Sequence, residues 1–274
     1  MYCNLQLTPV SHPKLELLKK RATLTIDKQS DSPHVHGNVN LIFTRPIDVL
    51  LHNNGIYRCI VFSADDVTQK PLINKVRSIY ITHITANGIG VFDCEFDTSF
   101  DSAAYYIVAY KREVITAFMR LVLSTSPGRL PFEHGRIIGT YKSYHSPFLH
   151  KAEVTTFFGP DLLSVELVFR HFAILCHQES VDRCYAIKEF GETKLKGIYS
   201  RIGAVKASAF LDNIVFPTYG YVNGSQITPI EWEIFEMTKD RLLELYTKTR
   251  ALVISSAEVS KLALHGYDTA KSRR

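Results

Sequence analysis

The stretch from Val91 to Leu123, VFDCEFDTSFDSAAYYIVAYKREVITAFMRLVL, decides how the chain folds. Its second half holds two apolar, β-rich runs, Ala104 to Tyr110 and Val114 to Leu123, separated by Lys111-Arg112-Glu113. Two such runs around a short polar break predict an antiparallel hairpin. The first half crowds four carboxylates, Asp93, Glu95, Asp97 and Asp101, into a loop ahead of that hairpin. Acids at this density repel one another unless a cation, an amine or an arginine neutralises them. Arg120 sits inside the apolar run Phe118 to Val122, where burial is costly unless it meets a carboxylate or a ligand anion. Residue types leave two readings open: an arginine that pins an acidic loop onto a hairpin, or a site for a charged substrate.

Working outward toward the N-terminus, Asp65 or Asp66 caps a helix running through Leu72, Val76 and Ile79. Before it come β-prone runs at Ala22 to Ile26, Val39 to Phe43 and Tyr57 to Phe62, with Asn53-Asn54-Gly55 as a turn. Pro13 to Arg21 carries a helical leucine stripe. Residues 1–64 therefore read as an N-terminal α+β extension, and 65–274 as the main domain.

Toward the C-terminus, Leu130 to Gly139 is short and mixed, and Tyr141 to Lys151 reads as a surface loop. Leu162, Val165, Phe169 and Phe172 recur at helical spacing within Asp161 to Cys176. Cys184 to Ile187 predicts a strand, Glu192 to Arg201 a helix ending at Gly203, and Val205 to Phe210 and Ile214 to Tyr221 further strands. Pro229 introduces Ile230 to Lys248, rich in Glu and Leu, as a helix, and Ser256 to Leu264 is a last one. This order predicts an α/β (α+β layered) fold, one mixed sheet flanked by helices, and argues against a doubly wound parallel sheet.

Composition narrows the function classes. With 46% hydrophobic and 22% charged residues over 274 positions, the chain buries a sizeable core and is not disordered. The net charge of +5 is diffuse, with no basic stripe interleaved with aromatics, which disfavours nucleic acid and is compatible with an acidic partner. Five cysteines, an odd number with no Cys-x-x-Cys pair, fit reduced thiols in a cytoplasmic protein. No secretory signal pattern opens the chain, and no apolar run reaches the ~20 residues of a membrane span. The histidines at 34, 36, 145 and 150 lack a Cys or carboxylate at metal-ligand spacing, and no P-loop, Gly-x-Gly-x-x-Gly or Gly-x-Ser-x-Gly is present.

The central region resembles the acyl-homoserine-lactone synthases. Arg77 on the first helix, Glu95-Phe96-Asp97 with Phe100-Asp101, Tyr106 on the first hairpin strand, and Arg120-Leu121-Val122-Leu123-Ser124-Thr125 follow that family's order. Further on, Glu166-Leu-Val-Phe-Arg170-His-Phe-Ala-Ile174 is similar to its Glu, Arg, Phe-Ala-Val segment. Glu166 and Arg170 stand four apart where the family has three, which resembles a divergent, Vibrio-type branch. The resemblance covers roughly residues 72 to 210 and implies an N-acetyltransferase-like sheet.

The implied activity transfers an acyl group from a carrier-protein or coenzyme A thioester to the amine of S-adenosylmethionine, and lactone closure then releases methylthioadenosine. Both reactants are substrates, and no cofactor or metal is implied. The resemblance assigns Asp97 and Asp101 to the cationic parts of the substrate and to the structure of the site. It assigns Arg77 or Arg120 to ordering the acidic loop or holding a carboxylate, and Glu166 to the amine proton. An i to i+4 spacing equally lets Glu166 and Arg170 simply pair with each other. Tyr106 belongs to the same signature, and Phe118 with Met119, Leu121, Phe169, Phe172 and Val215 are candidates for an acyl tunnel or plain core. The acetyl-CoA pyrophosphate motif of the wider fold, Gln/Arg-x-x-Gly-x-Gly/Ala, is missing. Two alternatives accompany this reading: an N-acyl amino acid synthase without lactone closure, and a non-catalytic ligand-binding protein.

Overall fold

The computed structural model describes residues 48–52, 55–124, 128–223 and 226–248, all within one unit that spans residues 41–274. The expected helix at 13–21, the strands at 22–26 and 39–43 and the last helix at 256–264 lie outside these residues.

β1 (Asp48–His52) and β2 (Gly55–Ser63) form an antiparallel pair, and β2 pairs with β4 (Ala104–Lys111) along seven residues. The expected division at 64/65 thus falls directly after a strand that is continuous with the main sheet. The hairpin of β4 and β5 (Val114–Ser124) forms as the sequence predicts, from Ala104↔Val122 to Lys111↔Val114. Asp66 accepts from the Thr68 amide ahead of α1 (Lys70–Ala86), whose Pro71 lies in the first turn and whose Ile73, Val76 and Ile84 are buried.

The acidic stretch contains more than a loop. β3 (Ile89–Val91) is followed by the short α2 (Cys94–Thr98), capped by Asp93, whose carboxylate accepts from the Phe96 amide. After β5, a single 3₁₀ turn (Pro131–His134) and β6 (Arg136–Ile137) lead to β7 (Lys151–Phe158). β7 begins at the last residue of the segment expected to be a loop. Then follow α3 (Leu162–Gln178), β8 (Arg183–Glu189), α4 (Lys194–Ile202), β9 (Val205–Lys206), β10 (Ile214–Asn223) and β11 (Gln226–Thr238). Gly203 ends α4 at φ 81°, the left-handed cap its position predicts.

Two expectations are corrected: of the strand expected at Val205 to Phe210 only Val205–Lys206 forms, and the helix expected from Ile230 begins late. Residues 230–238 are strand, and helix begins only at 239 and runs to 248. The three glutamates of this strand favour helix, but Ile230, Trp232 and Ile234 alternate on one face, with Phe235 and Met237 buried on the other. β11 lies between β8 and β10, and pairing on both edges outweighs a helix preference of a few tenths of a kcal/mol per residue.

The strands form one mixed sheet in the order β1-β2-β4-β5-β7-β8-β11-β10-β3, with β6 on β10 and β9 on β11. β7 and β8 are parallel, joined by α3, while the other described pairs are antiparallel. Helices cover both faces. Met119, Leu121, Ala152 and Val154 pack with α3 and α4 on one, while Tyr106, Phe118 and Val122 pack with α1 and the Phe96–Phe100 region on the other. Among the described residues no helix is long and apolar enough to cross a membrane.

Candidate active site

The sheet forks where its parallel pair comes apart. β7 and β8 stay in register from Lys151↔Arg183 to Val154↔Ala186. Beyond that, Thr156 to Phe158 pair only with β5, and Ile187 to Glu189 only with β11. Across β5 and β7 the register jumps from Arg120↔Thr156 to Leu121↔Val154, so Thr155 is an extra, bulged residue. A bulge bends its strand, which is the local cause of the divergence. Among the described residues, the edge of β7 that faces the fork therefore presents backbone polar groups with no strand opposite.

A cavity of about 110 Å3 occupies the fork. Glu153 to Phe157 form one side and Ile187 with Trp232 the other. Aromatic rings from α1, the acidic segment, α4 and β10 close it: Tyr80, Phe92, Phe96, Phe100, Tyr199, Phe216 and Tyr219. Burial drives the Tyr80 hydroxyl up to about 12, so it stays protonated at neutral pH.

Asp97 and Arg120 in the cavity wall belong to a four-residue ion cluster with Arg77 and Asp101 behind them. Arg120, 1% exposed, donates to Asp97 Oδ1 at 2.9 Å, to the Asp97 carbonyl at 2.8 Å and to Asp101 Oδ1 at 2.8 Å. Arg77 donates to both Asp101 oxygens at 2.7 and 2.8 Å and lies 3.6 Å from Asp97 Oδ2. Two guanidinium groups and two carboxylates make the cluster neutral, which is how a buried arginine is tolerated mid-strand. Burial pushes the Asp97 carboxyl above the ordinary range, opposed by Arg120 and then Arg77. With a charge-assisted bond at 2.9 Å, Asp97 is nevertheless the anionic partner of Arg120. Arg120 also reaches the Thr155 hydroxyl at 3.3 Å, so the cluster touches the bulge itself.

Arg77, Asp97, Asp101 and Arg120 are thus brought together, and Tyr106, opposite Arg120 in the register, lies buried beside them. Phe118 shares this face but packs on Phe158 in the core, outside the cavity wall. Of the other tunnel candidates, none lines this cavity. Glu166 and Arg170 stand apart. They lie on α3, which packs on the opposite face of the sheet, and pair with each other at 2.6 Å. The Glu166 side chain is half exposed.

The sequence reading passed over Glu153. Its side chain is fully buried beside the fork; Oε2 accepts from the Phe132 amide at 2.7 Å, and Oε1 has no hydrogen-bond partner among the described residues. Burial raises this carboxyl to about 8, against the pull of the Phe132 amide and with the push of Glu133. The signal was present as a lone acid in the β-prone run Lys151 to Phe158, the same kind of anomaly that marked Arg120. Among the described residues no group of three or more His, Cys, Asp or Glu is placed to hold a metal ion.

No protein-family model matches the chain, and no curated protein matches it. Solved structures do. FeeM, an N-acyl amino acid synthase from uncultured soil microbes, aligns with 13% identity over 65% of this chain and 94% of its own, at a TM-score of 0.44. A probable acetyltransferase from Staphylococcus epidermidis shares 10% identity over 67% of this chain and 99% of its own, at a TM-score of 0.40. Arabidopsis thaliana Naa50 in complex with a bisubstrate analogue shares 10% over 66% and 98%, also at 0.40.

Proposed function

We propose that the chain is an N-acyltransferase that moves an acyl group from a thioester to the amine of a small amino-acid-like acceptor, and that this acceptor is S-adenosylmethionine. The observation that carries the acyl transfer is Glu153, a buried carboxyl raised to about 8 at the edge of an aromatic cavity. An α-ammonium must lose its proton before it can attack, and a base near the operating pH is best matched to take it. The amine nitrogen then bonds to the thioester carbonyl carbon, the carbon–sulfur bond breaks, and the thiol leaves. The unpaired edge of β7 offers amides to the oxygen that becomes anionic. The aromatic wall suits an apolar acyl chain.

In this reading Glu153, and not Glu166, accepts the amine proton, because the Glu166 carboxylate is on the far face and already bound by Arg170. Arg77, Asp97, Asp101 and Arg120 hold the acidic segment, and Asp97 with Arg120 forms the polar end of the cavity. The resemblance to the signal synthases supports the second step, attack of the substrate carboxylate on its own γ-carbon with loss of methylthioadenosine. The donor is a carrier-protein or coenzyme A thioester.

A second reading stops at the N-acyl amino acid. It is favoured by the shortage of anion for a sulfonium, since the two acids of the cavity wall are Asp97, shared by two arginines, and Glu153, protonated below about 8. Incubation with S-adenosylmethionine, mixed amino acids, and acyl thioesters on carrier protein and on coenzyme A, read by mass, separates the two. Acyl-homoserine lactone with methylthioadenosine, lost in Glu153→Gln, supports the first reading. An acylated amino acid without methylthioadenosine supports the second. No turnover with any donor by the folded protein sinks both.

A further inference from the structure

A second buried ion pair lies behind Glu153. The Glu133 side chain is 0% exposed and Lys151 2%. Lys151 Nζ donates to both Glu133 oxygens at 2.9 and 2.8 Å and to the Ser146 carbonyl at 3.2 Å. Glu133 also accepts from the Leu130 amide at 2.6 Å and the Ser146 amide at 2.5 Å, and His145 Nδ1 lies 3.2 Å away. One carboxylate therefore clamps both ends of segment 130–146 to the first residue of β7. That segment carries Phe132, whose amide holds Glu153. The Ser146 hydroxyl bonds the Tyr185 hydroxyl at 2.9 Å, and Tyr185 faces Glu153 across β7 and β8, so the clamp touches both arms of the fork.

We propose that Glu133 is a positioning residue for the acyl-transfer centre, fixing the Phe132 amide on Glu153 and bearing on the Glu153 proton through its own charge. This rests on Glu153 as proton acceptor. A buried pair is a poor source of net stability, since apolar residues of similar volume often serve as well. Its placement two residues from Glu153 along β7, with its anion on the element that donates to Glu153, gives it a use that packing alone does not require.

Among the described residues, the groups around Glu153 are Arg120 on β5, Lys151 on β7, Glu133 on the 3₁₀ turn, Tyr185 on β8 and Tyr199 on α4, with Asp97 and Tyr80 in the far wall. Glu133 pushes the Glu153 proton affinity up and Arg120 pulls it down. Neutralising Glu133 while keeping an acceptor oxygen thus lowers the pH at which Glu153 ionises, and the now unpaired Lys151 acts in the same direction.

The test reads Glu153 itself. Carbon-13 NMR of protein labelled at the glutamate carboxyl follows the Glu153 resonance, assigned by its absence in Glu153→Gln. Glu133→Gln is expected to move the midpoint to lower pH by about one unit. If that variant does not fold around an unpaired lysine, the double variant Glu133→Gln with Lys151→Met removes both charges, and a smaller shift of the same sign is expected. A midpoint unchanged from wild type in the folded variant overturns the proposal. The readout needs no turnover, so an inactive protein whose Glu153 midpoint shifts would sink the acyltransfer reading and leave the coupling standing. In an active protein, the acid limb of kcat/KM moves with the same midpoint.

Discussion

At the scale of single residues, two side chains placed against hydrophobic expectation mark the same site. Arg120 is neutralised by its surroundings, whereas Glu153 is left to hold its proton. Glu153 therefore links the site to stability. Its folded value of about 8 is raised above the ordinary 4.5. The native state thus binds the proton more tightly than the unfolded chain does. This contribution is complete below about 4.5, erodes as pH rises, and is lost once pH passes about 8. Glu153→Gln, uncharged at every pH, escapes the loss. Relative to wild type its unfolding free energy should rise between pH 5 and pH 9 by on the order of 3–4 kcal/mol, read by urea denaturation at each pH. Parallel curves across that range would mean that water reaches the carboxyl.

Among the elements, those decided by local pattern were legible in the sequence and those decided by pairing were not. The β4–β5 hairpin, α1, α3 and α4 carry their own signals: two apolar runs around a break, a capping aspartate, a period of 3.6, a glycine at the end. Residues 230–238 read as helix because their glutamates run on into the Glu- and Leu-rich 239–248, and only β8 and β10 on either side make them a strand. β7 lacks a clean alternation because both its faces are covered, so it and Glu153 with it went unseen. The acids and Arg120 were legible as a set because charge has no cheap alternative in such a place. The place of Glu166 was not legible, because a family-like spacing on a helix looks the same whichever face of the sheet that helix covers. The turn from β7 into α3 is just as demanding locally. A Cβ at Gly159 would collide with a Val165 methyl and sit 3.4 Å from Ala117 and Phe157. Gly159→Ala should destabilise the protein by about 1–3 kcal/mol, measured as a lowered denaturation midpoint at constant slope. An unchanged midpoint would show that α3 shifts without cost.

Over the whole molecule, the sheet is two antiparallel arms joined at β7 and β8 by a short parallel register. Whatever fills the fork touches both arms. A ligand bound there stabilises the fold by its binding free energy, about 2.7 kcal/mol at a hundredfold excess over Kd. A non-transferable acyl thioester analogue should therefore raise Tm in proportion to the logarithm of its concentration. A Tm indifferent to apolar acyl chains of every length would remove the cavity from the reaction.

The wall of that cavity carries one further consequence. Trp232 is the single tryptophan of the chain, and it stands on β11 facing the fork, its indole nitrogen buried and without a hydrogen-bond partner among the described residues. Indole emission reports the polarity around the ring, so this protein has a fluorophore of its own at the place where a substrate would lie. Titration with an acyl thioester analogue should shift that emission without any label, and the same trace supplies the Kd on which the stability argument depends.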